Sequence, residues 1–258
     1  MYELNDRVFL VTGAAGAIGP AIGEALLAAG ARVLLVDLDG DGAKDAAVRL
    51  DPKGARAIGS AVNVTVPAEA KDAVDAALDA FGRLDGLVNN AGTLSMNAAE
   101  DATAEEWQHH FNVNATGAFV MAQAAVTVMR ARSGGRIVNV ASNCGKVGYR
   151  NMAAYNASKA ALISMTRSLA SEWMEVGINV NAVCPGGVDT PMLGRVANWL
   201  SERLGEDPSI LLEDMGSEQM GRRIAPIEVG RIVAFLLSDH AEIIRGQAIN
   251  VDGGDTPY

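Results

Sequence analysis

Between Arg7 and Asp37 the chain passes through a short apolar run, a cluster of glycines, an alanine- and leucine-rich stretch, a second apolar run and an acid. Arg7-Val8-Phe9-Leu10-Val11-Thr12 predicts a buried strand. Gly13-Ala14-Ala15-Gly16-Ala17-Ile18-Gly19 follows it directly, and Pro20 to Ala29 has the pattern of a helix that Gly30 stops. Arg32-Val33-Leu34-Leu35-Val36 predicts a second buried strand, ending in Asp37. Strand-like runs free of polar alternation, separated by helical patterns, point to a parallel sheet covered by helices on both faces.

That order of elements also suggests a ligand. Glycines let the backbone approach a pyrophosphate, and the helix N-terminus offers free N–H groups and a positive dipole. An acid at the end of the second strand accepts hydrogen bonds from ribose hydroxyls and repels a 2′-phosphate. No Arg or Lys stands in the glycine loop or close after Asp37, the first being Lys44. The pattern therefore favours NAD over NADP. The competing reading is a structural glycine turn, with Asp37 capping the turn that follows.

A second cluster suits proton exchange at an alcohol or ketone oxygen, provided something nearby takes the hydride. Tyr155-Asn156-Ala157-Ser158-Lys159 places a phenol and an ammonium one helical turn apart, and Ser142 lies thirteen residues upstream. An ammonium beside a phenol favours the phenolate and lowers its pKa from about 10, which suits a general acid/base. A serine hydroxyl from a neighbouring strand end can hydrogen-bond a carbonyl or alcohol oxygen. Alone, the spacing fits equally well a surface tyrosine and a solvated lysine. The nucleotide site upstream tips the balance toward interconversion of an alcohol and a ketone.

With both sites on the page, the chain resembles the short-chain dehydrogenase/reductase family over essentially all 258 residues. The family's T-G-x-x-x-G-x-G reads Thr12-Gly13-Ala14-Ala15-Gly16-Ala17-Ile18-Gly19, with Ala17 at the middle glycine and a glycine displaced to Gly16. The resemblance implies a Rossmann fold, an α/β doubly wound parallel sheet in a single domain, 1–258. It implies that Gly13, Ala15, Gly16, Ala17, Ile18, Gly19, Asp37 and the adjoining Leu38 contact the cofactor. Asn63-Val64 falls where the family often has Asp-Val against the adenine, and Asn89-Asn90-Ala91-Gly92 matches N-N-A-G along the adenosine side, with Asn90, Ala91 and Gly92 at the cofactor. Asn114 matches the asparagine that holds a relay water with Lys159. Ser142 matches the donor to the substrate oxygen, Tyr155 the acid/base, and Lys159 the residue that also binds nicotinamide ribose. Pro185-Gly186, Val188 and Thr190 match the segment that holds the nicotinamide carboxamide, and Gly246-Gln247 with Val251-Asp252-Gly253-Gly254 match the last strand and its turn.

Further strands are predicted near 56–62, 84–89, 135–141, 178–184 and 247–251. Long helices are predicted near 67–81, 103–130, 153–176 and 226–237. The composition, 49% hydrophobic and 20% charged, excludes a disordered chain. A net charge of −10 lacks the basic footprint that nucleic acid requires. The sequence opens Met-Tyr-Glu-Leu-Asn-Asp without a leader pattern, and no apolar run approaches the roughly 20 residues of a membrane span. Asn63-Val-Thr, Asn114-Ala-Thr and Asn156-Ala-Ser are formal glycosylation sequons, two of them inside the expected site, which fits a cytoplasmic protein. Cys144 and Cys184 form neither a disulfide framework nor a metal site, and His109, His110 and His240 read as ordinary helix-surface residues. No metal is expected.

On the substrate side, Met192, Leu193, Val196, Trp199 and Leu200 recur at helical spacing, and residues 191–222 resemble the family's mobile lid. A fixed amphipathic helix is the alternative. Asn143, Lys146, Tyr149 and Asn151 are polar enough to meet a hydroxylated substrate, or to be solvated. The first functional expectation is an NAD-dependent dehydrogenase of a small polar secondary alcohol, a polyol or sugar alcohol. The second is a 3-oxoacyl thioester reductase (acyl carrier protein or CoA); its acyl-carrier-protein members generally take NADP and offer a basic patch, and Val176 stands where they often carry arginine. The third is a catalytically silent NAD-binding regulator, which the presence of Asn114, Ser142, Tyr155 and Lys159 disfavours. By resemblance, the helices near 103–130 and 153–176 pair across twofold axes in a homotetramer.

Overall fold

Seven parallel strands form one sheet in the computed structural model of the protein, which describes residues 3–132 and 134–258. The strands are β1 (Val8–Thr12), β2 (Arg32–Asp37), β3 (Ala57–Ala61), β4 (Gly86–Asn89), β5 (Gly135–Val140), β6 (Ile178–Pro185) and β7 (Ala248–Val251). Their order across the sheet is β3-β2-β1-β4-β5-β6-β7. The chain therefore winds outward twice from the centre, and the two halves meet between β1 and β4. In such sheets ligands bind at that crevice, beyond the carboxyl ends of the strands.

Alternate residues of β1 feed two cores. Phe9 and Val11 join Ile22, Leu26, Val33 and Leu35 under α1 (Ile18–Ala28) and α9 (Pro226–Leu236). Val8 and Leu10 join Leu34, Leu87, Met121 and Met129 under α3 (Pro67–Phe81) and α5 (Ala118–Arg130). All five β1 residues are buried, as a strand covered on both faces requires. The predicted strands each lie within two residues of the observed ones.

The helices differ more from expectation. The stretch 103–130 is broken into α4 (Ala104–Phe111), a π-helical turn at Asn112–Gly117, and α5. Thr103 caps α4 by accepting from Glu106 N at 3.1 Å. The stretch 153–176 is α6 (Ala153–Glu172), a short 3₁₀ turn, and then Gly177 at φ +75°, whose left-handed backbone ends the run. The helix α2 (Gly40–Leu50) was not anticipated, because Gly40 and Gly42 mask its start. Its cap is plain in the structure, with Asp39 accepting from Gly42 N at 3.0 Å. Residues 191–222 contain α7 (Pro191–Leu204) and α8 (Pro208–Asp214).

Candidate active site

The crevice is a cleft of about 1610 Å³ that runs along the carboxyl ends of the strands. It is wide enough for a dinucleotide and a small second ligand. At its β2 end the glycine turn enters α1. Gly13 has φ +72°, and a Cβ there would stand 2.8 Å from the Ala91 backbone, so only glycine fits. Gly16 is open: a Cβ would meet only the Gly13 carbonyl, at 3.5 Å. The first turn of α1 has no side-chain cap and no acid, which leaves N–H groups and the positive helix end facing the cleft.

Hydrogen bonds lock this turn to its neighbours. Thr12 Oγ1 accepts from Asn90 N at 3.0 Å and from Ala91 N at 2.9 Å. Asn90 Nδ2 donates back to Thr12 O at 2.9 Å and Gly13 O at 3.1 Å. Asp37 accepts from Ala15 N at 2.9 Å with one oxygen and from Asp39 N at 3.0 Å with the other. Its carboxylate is thus held between the glycine turn and the turn after β2. Asn63 Oδ1 is occupied by Thr65, at 3.0 Å from N and 2.7 Å from Oγ1, while Asn63 and Val64 both line the cleft.

The other end gathers Ser142, Tyr155 and Lys159. Ser142 follows β5, and its hydroxyl accepts from Cys144 N at 3.1 Å. Tyr155 and Lys159 sit on α6, and both are buried. Lys159 Nζ donates to Val140 O at 2.8 Å and lies 5.8 Å from the centre of the Tyr155 ring. Burial lowers the Lys159 ammonium from its ordinary 10.5 to about 8. Burial also raises the Tyr155 phenol, with Cys144 adding to the rise and the Ser142 hydroxyl opposing it. The sequence-based expectation of a lowered phenol is corrected here: the spacing places the ammonium nearby but does not reveal the cost of burying the phenolate.

Asn114 lies behind this group. The π-helical turn puts it inside, where Nδ2 donates to Thr93 O at 3.0 Å and Ser158 Oγ at 2.9 Å, and Oδ1 accepts from Thr93 N at 2.8 Å. Ser158 passes the chain on to Tyr155 O at 2.8 Å. Oδ1 keeps a lone pair, and a Cβ at Gly92 would stand 3.2 Å from it and 3.5 Å from Lys159 Nζ. The absent Gly92 side chain leaves that space clear.

Most of the anticipated residues come together. Gly13, Ala15, Gly16, Ala17, Ile18, Asp37, Leu38, Asn63, Val64, Asn90, Ala91, Gly92, Ser142, Tyr155, Lys159, Pro185, Gly186, Val188 and Thr190 all line the cleft. Gly19 does not. It faces the back of the turn, where a Cβ would collide with the Gly13 carbonyl and stand 2.8 Å from Ala14 Cα, so it supports the loop. Lys146 also turns away, donating to Ala248 O at 2.8 Å and Tyr258 O at 2.9 Å. Trp199 lies outside the cleft, stacked under the Arg203 guanidinium at 3.4 Å. His110 is not a surface residue: it is 1% exposed. Leu94, Met96, Met152, Arg150 and Arg195 line the cleft without having been singled out. The first four sit in aperiodic segments or next to one, and an isolated arginine on a helix carries no signal of its own.

Among the described residues no three metal-ligating side chains converge, and no helix is long and apolar enough to cross a membrane. A family profile described as enoyl-(acyl carrier protein) reductase matches residues 13–256. The chain belongs to the short-chain dehydrogenase/reductase family. As a member it is an oxidoreductase that takes a nicotinamide cofactor and transfers hydride between an alcohol and a ketone. Similar proteins include 2-(S)-hydroxypropyl-CoM dehydrogenase 3 of Xanthobacter autotrophicus, 39% identical over 98% of each chain. The NAD-dependent glycerol dehydrogenase of Listeria innocua is 37% identical over 99% of this chain and 96% of its own. The solved structure of L-sorbose reductase from Gluconobacter frateurii, complexed with NADPH and L-sorbose, superposes with a TM-score of 0.91 at 33% identity, covering 99% of this chain and 98% of that one.

Proposed function

We propose that the chain is an NAD-dependent dehydrogenase of a small polar secondary alcohol, a polyol or sugar alcohol. The single observation that carries the cofactor choice is Asp37. Its carboxylate is anchored at the β2 end of the cleft, and the residues lining that end, from Gly13 to Ile18, Asp37, Leu38 and Val62 to Thr65, include no Lys or Arg. A 2′-phosphate placed there would meet a negative charge with no compensating cation. Lys44, the first cation after Asp37, is engaged with Asp41 at 3.2 Å. When bound, the nicotinamide accepts or supplies the hydride at its C4 carbon.

The chain's own residues do the rest. Tyr155 exchanges the proton of the substrate oxygen, Ser142 orients that oxygen, and Lys159 binds the nicotinamide ribose and sets the charge beside the phenol. Asn114 holds a water in the space left by Gly92, within reach of Lys159. Asn143 and Tyr149 stand together on the wall next to Ser142, Asn143 Nδ2 donating to Tyr149 Oη at 3.0 Å, and present polar atoms to a second hydroxyl of the substrate. Residues 191–222 act as a lid, with Met192, Leu193, Val196 and Leu200 facing the cleft. A second reading, a 3-oxoacyl thioester reductase, draws on the apolar wall of Leu94, Met96, Met152 and Met215, which would accept an acyl chain. Steady-state turnover over a panel of polyols, simple secondary alcohols and 3-oxoacyl thioesters separates the two.

The cofactor proposal makes a direct prediction. kcat/KM should be higher with NAD than with NADP for any working substrate, and a preference for NADP sinks the assignment. Asp37→Ala should narrow the preference by roughly tenfold, the equivalent of about 1.4 kcal/mol of lost discrimination.

For assembly we propose a homotetramer built on the α4–α5–α6 face. Trp107, stacked on Phe111 with ring centres 5.6 Å apart, is 42% exposed there, and Phe119 is 39% exposed. Large aromatic groups left open to solvent on these helices suit burial against a second copy. Light scattering at micromolar concentration should give a mass near four times the 26.8 kDa of one chain, and a clean monomer mass would count against the proposal.

A further inference from the structure

His110 is a buried side chain that the chemistry above leaves unused. It sits on the last turn of α4, between Tyr155 of α6 and the segment that follows Gly92. Ser95 N donates to its Nε2 at 3.1 Å, and its Nδ1 lies 2.9 Å from Glu106 O. A backbone N–H can only donate and a carbonyl can only accept. Nε2 is therefore the bare nitrogen and Nδ1 carries the hydrogen, so the imidazole is neutral with both nitrogens engaged. Its ring and that of Tyr155 form a T-shaped pair, centres 6.4 Å apart. Ser95 is also tied to the same helix through its hydroxyl, which donates to Glu106 Oε1 at 2.5 Å.

These contacts bracket the substrate end of the cleft. Ser95 lies between Leu94 and Met96, both of which line the cleft, and two residues past Thr93, which is bonded to Asn114. The segment has no helical or sheet bonding of its own. His110 Nε2 is a fixed acceptor that substitutes for the missing ladder partner. The same ring lies against that of Tyr155 in a T-shaped arrangement.

We propose that His110 is a positioning residue: its neutral imidazole fixes the Ser95 segment as the cleft wall and braces the Tyr155 ring. The proposal rests on the reading of Tyr155 as the acid/base. Glutamine can place an amide oxygen where Nε2 accepts, whereas leucine offers similar bulk and no acceptor.

The test compares wild type, His110→Gln, His110→Leu and Tyr155→Phe. Hydrogen exchange of the peptide spanning residues 93–97 needs no substrate. The Ser95 amide should exchange slowly in the wild type and in His110→Gln, and faster in His110→Leu. Fast exchange in the wild type, or unchanged exchange in His110→Leu, overturns the proposal. In steady-state kinetics His110→Leu should lower kcat/KM for the alcohol by roughly three- to tenfold, the effect of one lost hydrogen bond, with the Kd for NAD unchanged. His110→Gln should stay within roughly twofold of the wild type on the same scale. A loss as large in glutamine as in leucine, or a fall in Tm with kcat/KM intact, shows a purely structural residue and also overturns it. Tyr155→Phe reports separately on the acid/base reading, because the exchange result does not depend on it.

Discussion

Tyr155→Phe lowers kcat by about 10²–10⁴-fold and leaves the fold and the affinity for NAD intact. The substitution removes one hydroxyl from a ring that is already buried beside His110 of α4, so packing is preserved. The factor is what positioned acid–base catalysis typically contributes. The environment of the phenol adds a directional test. Burial raises its pKa, so near neutral pH it carries its proton. Reduction of a ketone uses that proton directly. Oxidation of an alcohol needs the phenolate, so its rate should climb as pH rises above neutral, while the rate of reduction should not. Both slopes should flatten in Tyr155→Phe. Rate profiles against pH in the two directions measure this. A near-normal kcat in the variant, with the true substrate, refutes the proposed chemistry whatever the cofactor.

What was legible in the sequence was what is local in the fold. The strand, glycine turn, helix, strand and acid at the N-terminus are successive residues, and each is governed by neighbours within one turn or one strand. The sheet was therefore readable to within two residues. The break at Asn112–Gly117 was not, because it depends on Asn114 bonding Thr93 and Ser158, residues 21 and 44 positions away. Helix periodicity cannot signal a partner that another element brings. His110 and Lys146 failed for the same reason: one is buried by a loop, the other is drawn to the C-terminal strand. The YxxxK spacing correctly brings Lys159 beside Tyr155. It cannot reveal that Nζ is committed to the Val140 carbonyl or that both groups are buried, and it is the burial that sets the direction of both pKa shifts. Gly19 shows the limit of motif transfer. Its place in the motif is shared, yet here it serves the back of the turn and not the cleft.

Lys159→Met is expected to be nearly inactive, to bind NAD more weakly, and yet to unfold at a higher temperature than the wild type. Activity falls by a factor comparable to that of Tyr155→Phe, because the charge beside the phenol and the proposed ribose contact both disappear. Stability moves the other way for a reason visible in the protein without cofactor. The ammonium is buried, and burial takes its pKa from 10.5 to about 8, a difference equivalent to about 3 kcal/mol. Methionine fills similar space without a charge. It leaves the Val140 carbonyl without its partner, at a cost of about 1–3 kcal/mol, so the net gain at pH 7 is on the order of 1 kcal/mol, or a few °C for a chain of this size. The sign follows from proton counting. Between about pH 8 and 10.5 the unfolded chain holds the Lys159 proton and the folded one does not, so wild-type stability gains from this residue as pH rises through that window. Below about pH 8 both states hold it and the full penalty remains. Tyr155, Cys144 and Cys184 have raised pKa values and pull stability down at alkaline pH in both proteins; removing the Lys159 charge raises the two thiols further, which steepens the alkaline loss of the variant and acts in the same direction. The advantage of Lys159→Met should therefore be greatest at pH 7 and shrink toward pH 10.5, as measured by denaturant unfolding without NAD. Saturating NAD should reverse the order, since binding stabilises only the form that binds. A variant less stable than the wild type at every pH would mean that Lys159 braces α6 against β5, and that burial of its charge is no burden to the fold.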